Sequence, residues 1–246
     1  MTQDLLFDIR DGIGFITLNR PAARNALTFA MYERIAEIAA DPAGARALII
    51  TGAGDKAFAA GTDIAQFRDF RTAEDAIGYE AKLDRVLGAL ERCPIATIAA
   101  VSGACTGGGA GIAAANARFG FPIARTLGNC LSMANIARLS ALIGPARVTE
   151  MIFTARLLNA QEALAAGLVT EVLDDRPALL ARAEALAVQV AGNAPLTLRA
   201  TKEALRRLRD ALPPDEDLIR LCYTSDDFRE GMDAFLGKRA PVWKGR

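Results

Sequence analysis

The chain of 246 residues contains no histidine. That absence excludes Ser-His-Asp and Cys-His apparatus and any proton transfer by imidazole. The four cysteines, Cys93, Cys105, Cys130 and Cys222, are scattered without CxxC spacing, so no zinc-ligand pattern is formed and no metal is expected. No secretory leader is read, and reduced thiols in a cytoplasm are the expected state. Basic and acidic residues balance at 29 each, with no basic block, and neither nucleic acid nor an anionic membrane surface is an expected partner. The stretch from Cys93 to Ala117 carries no charge and is long enough to cross a bilayer. Its alanine, glycine, serine and threonine content, with Gly107-Gly108-Gly109 in its middle, points instead to a buried strand, a glycine turn and a buried helix.

What is present is an α/β pattern. LLFDI and IGFITLN flank Asp11-Gly12, a hairpin signal. Thr28 is placed to cap a helix to about Ala40, and RALIITG (Arg46 to Gly52) reads as a buried strand. Thr72 and Asp75 form a capping-box pattern for a helix to about Glu91, and Ile95 to Val101 is the next strand. From Ser132 onward the pattern is mostly helical, with LVTEVL as one late strand. Residues 1–190 are read as a core carrying the site, and 191–246 as a helical region suited to oligomerisation.

Two strand-to-helix junctions carry the chemistry. In FAAGTDIAQF, Gly61 lets the backbone turn so that the Thr62 amide points outward unsatisfied. In TGGGAGIAAA the Gly108 amide is expected to do the same, backed by the dipole of a following helix. Two such amides aimed at one point make an oxyanion hole. No P-loop or dinucleotide fingerprint is in register with either turn.

These segments, together with ITLNRPAARNAL, FTARLLNAQEALAAGLVTEVL and the terminal DAFLGKRAPVWKGR, resemble the enoyl-CoA hydratase/isomerase (crotonase) family over nearly the whole chain. The resemblance implies a ββα spiral core, a helical C-terminal region that builds a homotrimer or dimer of trimers, and an acyl-CoA substrate. It implies no cofactor, since CoA belongs to the substrate. It implies that Thr62 and Gly108 hold the thioester oxygen and that Arg24 and Ala26 hold the CoA nucleotide. Ala60, Asp63 and Ile64 would line the adenine or pantetheine path, and Phe235 and Lys238 would reach the CoA from the terminal helix. Read without the resemblance, Arg24 and Lys238 are solvated charges and Asp63 is a helix cap.

The chain departs from the family in three places. The two positions that carry catalytic glutamates in family hydratases are Gly111 and, by either alignment, Ile123 or Ala124. Between Ala115 and Phe119 a strand's worth of residues that the family usually has is missing. An acid/base must therefore sit elsewhere. Glu80, in the helix after the first oxyanion turn, is the first candidate, set against a solvated helix residue; Asn129 and Cys130 come after it. Hydration or isomerisation of a 2-enoyl-CoA is the expected activity. Decarboxylation through an enolate, or acyl-CoA binding without turnover, are the alternatives.

Overall fold

The computed structural model describes residues 4–105, 111–209 and 216–244. The chain opens with β1 (Leu5–Arg10) and β2 (Ile13–Leu18), an antiparallel hairpin. Its turn has Asp11 at φ 52° and Gly12 at φ 77°, the paired positive angles whose twist matches that of the flanking strands. Helix α1 (Phe29–Ala40) follows, and the Thr28 side chain accepts from the Met31 amide at its start.

Next come β3 (Ala47–Gly52), β4 (Ala57–Ala59) and α2 (Ala73–Arg92). The Thr72–Asp75 capping box expected for α2 is formed in both directions. β3 is buried on both faces. Leu48 and Ile50 pack toward α1 and α2, while Ala47 and Ile49 pack on the opposite side against Leu179 and Ala183 of α7 (Arg176–Ala191, numbered in chain order). That is why ALIITG is an unbroken apolar run rather than an alternation.

The remaining strands are β5 (Ala96–Val101), β6 (Ala104–Cys105), β7 (Gly111–Ala114), β8 (Arg118–Phe119), β9 (Leu158–Asn159) and β10 (Val169–Leu173). Strands alternate between two sheets, ordered β1-β2-β3-β5-β7-β10 and β4-β6-β8-β9. All neighbours after the hairpin are parallel except β8 and β9. The helices between and after them are α3 (Ile123–Thr126), α4 (Met133–Ile143), α5 (Pro145–Thr154), α6 (Ala160–Ala165), α7, α8 (Pro195–Arg209), α9 (Glu216–Tyr223) and α10 (Asp226–Leu236). No helix among the described residues is long and apolar enough to cross a membrane.

One sequence expectation is corrected here. GIAAA was read as the start of a helix behind Gly108, but Gly111–Ala114 form β7, hydrogen-bonded in parallel to β5 on one side and β10 on the other. The pattern β3-β4-α2 is a strand–strand–helix unit; β5-β6 runs on to β7-β8 with no helix among the described residues. Among the described residues the segment between β6 and β8 carries the strand β7. The physical reason is hydrogen bonding. Without β7 the facing edges of β5 and β10 would be left as buried, unpaired backbone, whereas a surface helix can be lost without stranding any ladder. Ala113 and Ala114 are fully buried in that position.

Candidate active site

The Thr62 turn is built by zipping residues 20–27 against 53–63. Asn25, buried and in the left-handed region at φ 55°, donates to the carbonyls of Ala53 (3.0 Å) and Ala57 (2.7 Å) and accepts from the Arg20 amide. The Ala60 amide donates to Arg24 O, the Leu27 amide to Gly61 O, and the Asp63 amide to Leu27 O. Because Leu27 engages the residues on either side of Thr62, the Thr62 amide faces the other way. It meets no acceptor among the described residues. Gly61, at φ 90°, supplies the conformation an L side chain would resist.

The Thr62 hydroxyl is held from behind. It lies 2.8 Å from the Tyr32 hydroxyl and 2.7 Å from that of Tyr79. Tyr79 precedes Glu80 on α2, and Glu80 is 2% exposed, which overturns the solvated-helix alternative. Its Oε1 accepts from the Tyr223 hydroxyl at 2.5 Å and its Oε2 from the Ser132 amide at 3.2 Å. Asn129 Nδ2 donates to the same Tyr223 oxygen at 3.2 Å, and the Ser132 hydroxyl donates to Asp84, one turn along α2 from Glu80.

All three tyrosines of the chain belong to this cluster. Burial pushes the Tyr32 hydroxyl up to about 12, and those of Tyr79 and Tyr223 well above the ordinary phenol range; the nearby Glu80 charge adds to each. The phenols thus stay protonated at neutral pH and can only stabilise an anion, not compete for its charge. Phe67 and Phe228 enclose them, with Phe67 edge-on to Tyr79 at 4.8 Å and Phe228 4.8 Å from Tyr223.

The other sequence-predicted residues fall into two groups. Arg24, Ala26, Ala60, Asp63 and Ile64 are brought together around the Thr62 turn by the pairings above. Asp63 braces that turn, accepting from the Ala65 amide and from Arg20 at 2.9 Å, so its capping role is realised. Arg24 is exposed, beside a surface depression shared with Lys56 and Gly54. Phe235 and Lys238 are exposed at the end of α10, and no hydrogen bond joins them to the Thr62 turn among the described residues. Gly108 lies outside the described residues. Gly111 is in β7, and Ile123 and Ala124 open α3.

Sequence reasoning did not find Tyr32, Tyr79, Tyr223 or Ser132. The one available signal was scarcity, three tyrosines in 246 residues, and no spacing rule connects them.

Two sheets, a Thr62 amide without an acceptor among the described residues and a buried Glu80 on the helix that follows are what the candidate site offers. The chain belongs to the enoyl-CoA hydratase/isomerase family, whose profile it matches over residues 8–246. It is 33% identical to a crotonyl-CoA hydratase of Syntrophomonas wolfei over 254 residues, 96% of each chain. It is 36% identical to a probable enoyl-CoA hydratase of Mycobacterium tuberculosis over the full length of both. Among solved structures, methylmalonyl-CoA decarboxylase in complex with 2-nitronate-propionyl-CoA superposes with a TM-score of 0.89 at 28% identity, covering 99% of each chain.

Proposed function

We propose that the protein is an acyl-CoA enzyme that hydrates or isomerises a 2-enoyl-CoA, with Glu80 in place of the two missing glutamates. The observation that carries this reading is Glu80 itself. It is a buried carboxylate on the helix that follows the oxyanion turn, and its neighbour Tyr79 holds the Thr62 side chain. The Thr62 amide, with Gly108 as the second donor the family resemblance implies, would hold the thioester oxygen as charge gathers there. In hydration Glu80 would take a proton from the water that adds at C3 and return one at C2; in isomerisation it would carry a proton between carbons. Arg24 and Ala26, with Ala60, Asp63 and Ile64, would seat the CoA, and Phe235 and Lys238 would close on it in a homotrimer or dimer of trimers. Exposed Leu196, Leu205 and Leu208 on α8 supply apolar surface for such an assembly.

The test is loss of the conjugated thioester absorbance when a short 2-enoyl-CoA is added, with Glu80→Gln as the paired control. Turnover in the wild type that falls by about 100-fold or more in the variant supports the assignment. Equal turnover removes Glu80 from the mechanism.

A second reading is favoured by one observation: both Glu80 oxygens already accept a hydrogen bond, from Tyr223 and from Ser132. A carboxylate so engaged suits a fixed structural charge. Decarboxylation needs only enolate stabilisation, because departure of carbon dioxide leaves the electron pair behind. It predicts release of carbon dioxide from a malonyl-type CoA thioester that survives Glu80→Gln.

A further inference from the structure

Glu80 shares α2 with a second carboxylate that points toward α4. Asp84, four residues on and so one turn along the helix, accepts from the Ser132 hydroxyl at 3.0 Å, while the Ser132 amide donates to Glu80 Oε2 at 3.2 Å. Ser132 is 1% exposed and thus engages both carboxylates; it also opens α4, where its hydroxyl accepts from the Asn135 amide at 3.2 Å. Two negative charges one helical turn apart repel, and burial of one of them favours taking up a proton.

Arg138, in the second turn of α4, meets the second charge. Its Nη1 donates to Asp84 Oδ1 at 2.9 Å and to Asn135 Oδ1 at 3.1 Å, and its Nε donates to Glu91 Oε1 at 3.1 Å. Glu91 in turn accepts from Arg209 of α8 at 2.6 Å. Asp84, Arg138, Glu91 and Arg209 form a row of alternating charge in which the signs balance. The other titratable groups around Glu80 are phenols, Tyr223 from α9, Tyr32 from α1 and Tyr79 beside it on α2, together with the thiols of Cys130 and Cys222 at the edge of the same cluster. Neither kind carries a positive charge.

We propose that Arg138 is a positioning residue for Glu80: by pinning Asp84 and cancelling its charge, it keeps Ser132 aimed at Glu80 and leaves Glu80 as the carboxylate that exchanges protons. The role rests on the reading of Glu80 as the acid/base. It makes the two ends of the Arg138–Asp84 pair act in opposite directions. Arg138→Gln leaves the Asp84 charge uncompensated and raises the pH at which Glu80 gains its proton; Asp84→Asn leaves positive charge in excess and lowers it. The double variant restores the wild-type balance of charge, so the two effects cancel. A role confined to packing would change stability in the single variants and move no titration.

The test is a carboxyl titration on the full chain, labelled with carbon-13 at the glutamate side-chain carboxyl; the Glu80 signal is the one absent from Glu80→Gln. Its midpoint is expected about one pH unit higher in Arg138→Gln, lower in Asp84→Asn and back at the wild-type value in the double variant. Asp84→Asn leaves Arg138 on Glu91, so it reads the link on its own if Arg138→Gln does not fold. In an enzyme that hydrates a 2-enoyl-CoA, the acid limb of kcat/KM follows the same midpoint, so Arg138→Gln loses about 10-fold at a fixed pH below it. Opposite shifts of the carboxyl signal without turnover would uphold the link to Arg138 and remove the acid/base reading of Glu80. A Glu80 midpoint that neither single variant moves, or that both move in the same direction, would overturn the proposal whether or not the protein turns over an enoyl-CoA.

Discussion

The Tyr223 hydroxyl donates to Glu80 Oε1 at 2.5 Å, joining the end of α9 to the middle of α2 across 143 positions of the chain. The bond makes the C-terminal helices part of the site, because the carboxylate is buried and its charge is stabilised from that side. Replacing Tyr223 with phenylalanine keeps the ring packing on Phe228 and removes only the oxygen. A buried acceptor that loses a donor costs about 1–3 kcal/mol. Asn129 loses a partner as well, with its Oδ1 already buried and without a partner among the described residues. Tyr223→Phe should lower the unfolding free energy by an amount in that range, read in urea as a lower midpoint with the slope unchanged. A midpoint within error of wild type would mean that the pair contributes nothing to folding.

Gly61 sets the direction of the Thr62 amide at φ 90°. An alanine there adds about 1–2 kcal/mol of backbone strain in the left-handed region, and the turn relieves it by rotating. Under the proposed function the rotated amide loses its aim at the developing oxyanion. Gly61→Ala should therefore lower kcat by about 10-fold or more with little change in KM, since the interaction matters most in the transition state. A change confined to KM would place Thr62 in ground-state binding instead.

The strand assigned to Gly111–Ala114 can be tested by hydrogen exchange. In a parallel strand between β5 and β10, the amides of Ile112 and Ala113 are in ladder environments within the central sheet. In a short surface helix starting behind Gly108 the same amides would sit in its first two turns, open to solvent and to fraying, and would exchange faster than the central sheet. Exchange as slow as that of Ala99 and Ala100 in β5 is expected. Fast exchange at both positions would restore the helix.

The contrast between β7 and the better-read elements shows what the sequence encodes locally. The hairpin and the starts of α1 and α2 were legible because Asp11-Gly12, Thr28 and the Thr72–Asp75 box act on neighbours within three residues. The Thr62 turn was legible because Gly61 is needed at one backbone angle. GIAA was not, since alanine favours helix in isolation and only pairing with β5 and β10, remote in sequence, makes it strand. Glu80 was legible as a candidate but not as a buried group, because its burial depends on Tyr223 and Ser132, which no periodicity connects to α2.

The C-terminal segment offers a pH test with its own probe. Both Glu230 oxygens accept from the Arg239 guanidinium, at 2.5 and 2.7 Å, and Oε1 also accepts from the Val242 amide at 2.9 Å. The Arg239 bonds first, and the Val242 amide second, lower its carboxyl from 4.5 to about 2. The carboxylate is thus favoured in the folded state, and the stability it contributes is complete above the unfolded value of 4.5 and lost as pH falls toward 2. The only tryptophan, Trp243, follows Val242, and its ring lies over Gly128, where an added Cβ would come within 3.3 Å of it. Trp243 emission should hold steady down to about pH 4.5 and then shift to longer wavelength as the Glu230 clasp is protonated and the ring is released to water. Glu230→Gln keeps the shape but removes the charge, so it should show part of that shift already at pH 7 and a flatter acid limb. Identical profiles in wild type and variant would mean that the Glu230 clasp does not hold the segment, which contacts such as the Lys244 amide to Asp227 would then keep in place.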